Sequence, residues 1–117
     1  MTHPVMWFEV LGKDANTLRT FYGKLFGWSF GGDSIEYGLV EATGRGIPGG
    51  IGVPYPGTRE WVTFYVGTPD VTASLAEAER LGGRTVMPRT TLPGGVTLGV
   101  FEDPEGHTIG LLEAPPA

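Results

Sequence analysis

The sequence contains no cysteine. That excludes disulfides, thiolate nucleophiles and sulfur-based metal sites, and it leaves the redox compartment open. Histidine is nearly as scarce, with only His3 and His107. Basic residues are few: 8 Lys and Arg stand against 13 Asp and Glu, giving a formal charge of -5. With no basic cluster to displace counterions, a nucleic-acid partner is not expected. No apolar run approaches the roughly 18 residues of a membrane-spanning helix, so no membrane partner is expected. Met1 to Val10 lacks a basic start followed by a long apolar stretch, so no signal peptide is expected and the cytoplasm is the predicted location.

What is present suits a small folded protein. The 117 residues, 40% of them hydrophobic, fit a single domain over 1–117. Gly 20 and Pro 10 are spread without a period, which predicts many tight turns between short strands.

The two halves read alike. Trp7-Phe8-Glu9-Val10 leads to Asp14 and a helical pattern, and Thr63-Phe64-Tyr65-Val66 leads to Asp70 and another. In the first helix Leu18, Phe21, Tyr22, Leu25 and Phe26 form one apolar stripe at helical spacing. Asp14 or Asn16 caps its start and Gly27 ends it. In the second, Asp70 caps, Val71, Leu75, Ala78 and Leu81 form the stripe, and Gly82-Gly83 stops it. Extended runs follow each helix. They are Trp28 to Phe30, Ile35 to Glu41 and Gly50 to Val53 in the first half, then Arg84 to Met87, Val96 to Glu102 and Thr108 to Glu113 in the second. Turns are expected at Gly31-Gly32-Asp33, Gly44 to Gly49, Pro93-Gly94-Gly95 and Asp103-Pro104-Glu105-Gly106. Each half is thus β-α-β-β-β, over about 4–54 and 60–114, with Pro54 to Thr58 as linker.

With these residues in view, the chain resembles the vicinal oxygen chelate superfamily of glyoxalases, bleomycin-resistance proteins and extradiol dioxygenases. The resemblance rests on Asp14 with Phe21-Tyr22-Gly23-Lys24-Leu25-Phe26-Gly27-Trp28, on Gly49-Gly50-Ile51, on Asp70-Val71 to Leu81-Gly82-Gly83, and on Phe101-Glu102-Asp103-Pro104-Glu105-Gly106-His107. It implies an α+β fold of two tandem βαβββ modules forming a curled, cup-shaped mixed sheet with helices outside. It also implies a ligand in the cup and a homodimer.

Metal-dependent members hold a divalent ion on the first and last strands of each module. The positions that match theirs carry Trp7, Thr63, Gly110 and, near the fourth, Gly52. None of these side chains ligates a divalent ion, so a metal-free, bleomycin-resistance-like member with no cofactor is expected. His107 falls in a hairpin and is expected to be structural. Glu36, Glu41, Glu102 and Glu113 lack ligand spacing and read as solvated strand positions.

Strand alternation assigns Trp7 and Glu9 in the first strand, and Trp61, Thr63 and Tyr65 in its counterpart, to the cup face. Met6, Phe8 and Val10, with Val62, Phe64 and Val66, are assigned to the helix face. Thr108, Gly110 and Leu112 line the cup from the last strand, and Gly52 and Gly110 would leave room for a ligand. The expected site is therefore Trp7, Glu9, Gly52, Trp61, Thr63, Tyr65, Thr108, Gly110 and Leu112, binding a small organic molecule through aromatic surfaces and one acid. The leading expectation is a binder that sequesters an aromatic or hydrophobic compound such as an antibiotic. The alternative is an enzyme using Glu9 as acid or base, with Tyr65 or Thr63 as hydrogen-bond donor. The same residues also fit a solid core in which Glu9 pairs with Arg45, Arg59 or Arg84.

Overall fold

The structure, a computed structural model, describes residues 2–115, with Asp33 described by its backbone alone. The fold is α+β, with eight strands and two helices among the described residues. Two compact units divide it: one spans Trp7–Val62, and the other takes in the residues before and after.

The first unit contains most of β1 (Val5–Leu11), then α1 (Ala15–Phe26), β2 (Phe30–Ser34), β3 (Tyr37–Val40) and β4 (Gly49–Gly52). β1 pairs parallel to β4, β4 antiparallel to β3, and β3 antiparallel to β2. The other unit contains most of β5 (Trp61–Thr68), then α2 (Val71–Arg80), β6 (Arg84–Thr91), β7 (Thr97–Glu102) and β8 (Thr108–Glu113). Its wiring is the same: β5 parallel to β8, β8 antiparallel to β7, β7 antiparallel to β6. The repeat seen in the sequence is a repeat of topology.

The helix ends obey local chemistry. Asp14 is extended, and its carboxylate accepts from the Thr17 N–H at 3.0 Å and the Thr17 hydroxyl at 2.8 Å. Those bonds hold the Asp14 carboxyl below the usual carboxylate range. Gly27 closes α1 at φ 74°, a conformation that favours glycine. Asp70 caps α2 by accepting from the Ala73 N–H at 2.9 Å. In the β7–β8 hairpin, Asp103 Oδ1 accepts from the Glu105 and His107 N–H groups at 2.9 and 3.0 Å, and the His107 ring lies 2.9 Å from Asp103 Oδ2.

Several expectations are corrected. Gly31-Gly32-Asp33 is not a turn but part of β2, where the pairing with β3 shifts register; the reversal falls at Ile35-Glu36 instead. The α1 stripe is only partly buried. Tyr22 and Phe26 pack with Trp28, which also meets Phe8 at 5.4 Å between ring centres, yet Phe21, Leu25 and Phe26 remain more than half exposed. In α2, Val71 and Leu75 are buried against Leu111 with Val66 and Phe101, whereas Leu81 lies past the last turn and is exposed. Burial along β5 is the reverse of that expected: Val62 and Phe64 are exposed, and Thr63 and Tyr65 are buried. Of the assigned helix-facing set, Val66 packs against the Val71, Leu75 and Leu111 cluster. No helix among the described residues is long and apolar enough to cross a membrane.

Glu113 has a role that its strand-end position concealed. One of its oxygens accepts from the Val71 N–H at the start of α2, at 3.1 Å, and both meet the Arg89 guanidinium. Arg89 first, then the Val71 N–H, pull the carboxyl down to about 2. A carboxyl depressed in the folded state leaves the unfolded state binding more protons, so stability rises with pH through that window. The contribution is complete above the ordinary glutamate value and is lost as pH falls toward about 2. Acid unfolding followed by circular dichroism should therefore lose steepness between about pH 5 and 2 in Glu113→Gln. An unchanged profile would contradict this role.

Candidate functional site: a buried glutamate held by aromatic donors

In the first unit β1 sets Glu9 opposite Gly50 of β4, and alternation turns its side chain to the face shared with Trp7. Glu9 is 1% exposed. A carboxylate so buried must be met by donors, since leaving it unpaired costs several kcal/mol. Three aromatic side chains supply them. The Tyr37 and Tyr55 hydroxyls donate to Oε2 at 2.7 and 2.9 Å, and the Trp61 indole Nε1 donates to Oε1 at 2.9 Å. The Trp7 indole Nε1 in turn donates to the Tyr37 hydroxyl at 3.2 Å. An indole N–H can only donate, so the Tyr37 proton must point at Glu9. Burial, and next the Glu9 charge, push the Tyr37 phenol far above its ordinary value, and it stays protonated.

Glycine makes this reach possible. A Cβ on Gly50 would lie 2.0 Å from the Tyr37 oxygen, so the Tyr37 ring lies across the empty side-chain position of Gly50. Tyr55 is positioned by a turn through Pro56 and Gly57, with Gly57 at φ 89° and the Thr58 N–H and hydroxyl both donating to the Tyr55 carbonyl. The Tyr37 and Tyr55 rings meet edge to face, 6.0 Å between centres. Trp7, Tyr37, Tyr55 and Trp61 are each half-buried. Four aromatic side chains are thus ordered around one buried anion, and none of the four residues is fully enclosed.

Of the residues expected from sequence, Trp7, Glu9 and Trp61 come together here. Gly52 lies nearby on β4, but a Cβ there would meet the Glu36 carbonyl at 2.3 Å, so its glycine admits the neighbouring backbone. Thr63, Tyr65, Thr108, Gly110 and Leu112 belong to the other unit. There the Thr63 hydroxyl donates to the Thr108 carbonyl at 2.7 Å, and the buried Tyr65 ring covers Gly110, whose Cβ would lie 2.3 Å from it. Thr108 and Leu112 are half-buried on the same strand. Register makes Gly50, opposite Glu9, the counterpart of Gly110, opposite Tyr65, and displaces Gly52 from that place. Arg84, one of the considered partners of Glu9, pairs with Glu102 at 2.8 Å.

Sequence reading missed Tyr37 and Tyr55. The signals were Gly50, a vacant position on the Glu9 face that some ring had to fill, and Pro56-Gly57, a turn strong enough to fix the residue before it. The other unit also carries an apolar groove of about 580 Å³ between α2 and its strands, floored by Val66, Ala78, Phe101 and Leu111. Its acids are already engaged: Asp70 with the Ala73 N–H, Glu77 with Arg80, Asp103 with His107.

The divalent ion of metal-dependent glyoxalase-type proteins does not fit these residues. Trp7 and Gly52 in one unit, and Thr63 and Gly110 in the other, offer no suitable side chain. Among the described residues no three His, Asp or Glu side chains gather closely enough to hold a metal.

Comparison with known proteins places the fold. A family profile described as "Glyoxalase-like domain" matches residues 8–112. Among curated proteins, "Putative glyoxylase CFP32" of Mycobacterium tuberculosis (strain CDC 1551 / Oshkosh) is 27% identical over 119 residues, 92% of this chain. The same protein name occurs in Mycobacterium bovis at the same identity. The chain spans 44% of the length of these relatives. Among solved structures, a methylmalonyl-CoA epimerase in complex with methylmalonyl-CoA and NH4+ has a TM-score of 0.70 at 15% identity, covering 99% of this chain and 100% of that one. The hypothetical protein BH1468 from Bacillus halodurans C-125 has a TM-score of 0.72 at 9% identity, covering 100% and 98%. At such identities the structural likeness is one of fold.

Removing one donor leaves the buried carboxylate under-satisfied. Tyr55→Phe should lower unfolding free energy by about 1.5–3 kcal/mol in urea titration. Tyr37→Phe should cost more, because it also takes the acceptor from Trp7. Gly50→Ala should displace the Tyr37 ring, so Gly50→Ala and Tyr37→Phe combined should cost less than the sum of the two. Strict additivity would contradict the contact.

Proposed function

Since the chain belongs to the glyoxalase-like domain family, within the vicinal oxygen chelate superfamily, we propose that it binds a small aromatic or hydrophobic compound, such as an antibiotic or other natural product, without a metal ion. The observation that carries this reading is the tethering of Tyr37, Tyr55 and Trp61 to the buried Glu9 carboxylate. Aromatic rings in a solid core need only packing. Here their polar edges are fastened to one anion while the residues themselves stay only half-buried. That arrangement fixes stacking surfaces before a ligand arrives and lowers the ordering cost of binding.

The alternative, an enzyme using Glu9 as acid or base, has less support. Three donors already occupy the Glu9 oxygens, and the Thr63 hydroxyl is engaged with the Thr108 carbonyl. Likeness to an epimerase at 15% identity supports the fold and not the reaction.

Titration with a panel of aromatic natural products should produce a saturable change in tryptophan emission, since Trp7 and Trp61 both belong to the site. No response across the panel would overturn the reading. A homodimer is part of the proposal, supported by the exposed Phe21, Leu25 and Phe26 on α1. Sedimentation should give about twice the 12.5 kDa chain mass, and a monomer at all concentrations would remove that part.

A further inference from the structure

We infer that the groove along α2 receives α1 of a second copy of this chain. The inference rests on the homodimer reading above and deepens it by naming the surface that meets the exposed α1 face. The groove follows one side of α2. Ala73, Ser74, Glu77, Ala78 and Leu81 line it at helical spacing, while the neighbouring stripe, Val71 and Leu75, is buried in the core of the unit. Asp70 lines the groove at one end of the helix and Leu81 at the other, so it runs the full length of α2. A helix of 10 residues makes that length roughly 15 Å. The volume is about 580 Å³, and the floor of Val66, Phe101 and Leu111 is apolar. A trough of helical length with an apolar floor is the shape that an amphipathic helix fills.

The α1 helix has the matching features. It is 12 residues long, and Phe21 and Leu25 on it are 57% and 58% exposed. Lys24, also exposed, stands on the same face, three residues after Phe21. Arg19 and Lys24 are its charged residues, and it contains no acid. The groove has the opposite character: Asp70, Glu77 and Asp103 line it and, among the described residues, no Lys or Arg does. Glu77 stands midway along α2, and its pair with Arg80 is exposed on both sides and therefore weakly held. Charge selects this pairing over the two like-with-like ones. Two α1 helices face to face would bring Lys24 against Lys24, and two α2 grooves would bring acid against acid. In a closed twofold dimer each copy gives its α1 and receives that of the other.

The test is sedimentation of the full chain with each surface blocked separately. Leu25→Asp blocks the α1 face, and Ala73→Glu combined with Leu81→Asp blocks the groove. All three positions are exposed, so circular dichroism should show wild-type folding. Each blocked chain should dimerise about tenfold more weakly or worse, since it brings an unpaired charge into an apolar contact. Lys24→Glu should weaken the dimer in the same direction. Mixing the two blocked chains in equal amounts should restore a dimer, because one keeps its groove and the other keeps its α1. A groove-blocked chain that dimerises like the wild type would overturn the inference and leave the homodimer reading intact. So would a mixture that stays monomeric while the wild type is dimeric. A wild-type chain that is monomeric at every concentration would overturn the homodimer reading itself, and the inference with it.

Discussion

A carboxylate removed from water must be met by donors of matching number and direction, and in the first unit that requirement governs the arrangement of everything near it. Glu9 recruits hydroxyls from β3 and from the linker and an indole from the start of β5. Three segments distant in sequence are thereby tied to one point on β1. The bonds are charge-assisted, which makes them stronger and more directional than contacts between neutral groups. They also set the partners' ring positions, so the same interaction that satisfies the charge shapes the surface around it.

The glycines of the last strands explain how two halves with one topology come to differ. Gly50 lies opposite Glu9, and Gly110 lies opposite Tyr65. Each leaves a vacant side-chain position, and each vacancy is filled by a tyrosine ring: Tyr37 from the neighbouring antiparallel strand in one unit, Tyr65 from the parallel partner in the other. The duplicated scaffold therefore provides the same opening twice, and the residue on the first strand decides what occupies it. An acid at that point brings in a ring by its hydroxyl. A tyrosine there covers the opening itself.

Much of this was legible from sequence. Helix starts at Asp14 and Asp70, the Gly27 stop, the Asp103 to His107 hairpin and the β-α-β-β-β order all follow from local chemistry, which acts over a few residues. Glu9 as the enclosed acid followed from strand alternation. The shortfalls were non-local. Alternation gives the face of a residue but not the distant ring that crosses a glycine on that face, so Tyr37 and Tyr55 went unseen. Apolar character predicted burial for Val62 and Phe64, yet cover depends on where α2 comes to lie. Glu113 looked like a solvated strand end because its partners, Arg89 and the Val71 N–H, are remote in the chain.

The contact between Trp7 and Tyr37 carries a consequence for proton movement. Hydrogen-bonded hydroxyls commonly pass protons along in relays, each accepting from one side while releasing to the other. The outermost link here is an indole nitrogen, which has no lone pair to accept with and does not give up its hydrogen under ordinary conditions. By this route the chain of bonds ends blind: it can orient the inner groups, but no proton can travel along it between Glu9 and bulk water.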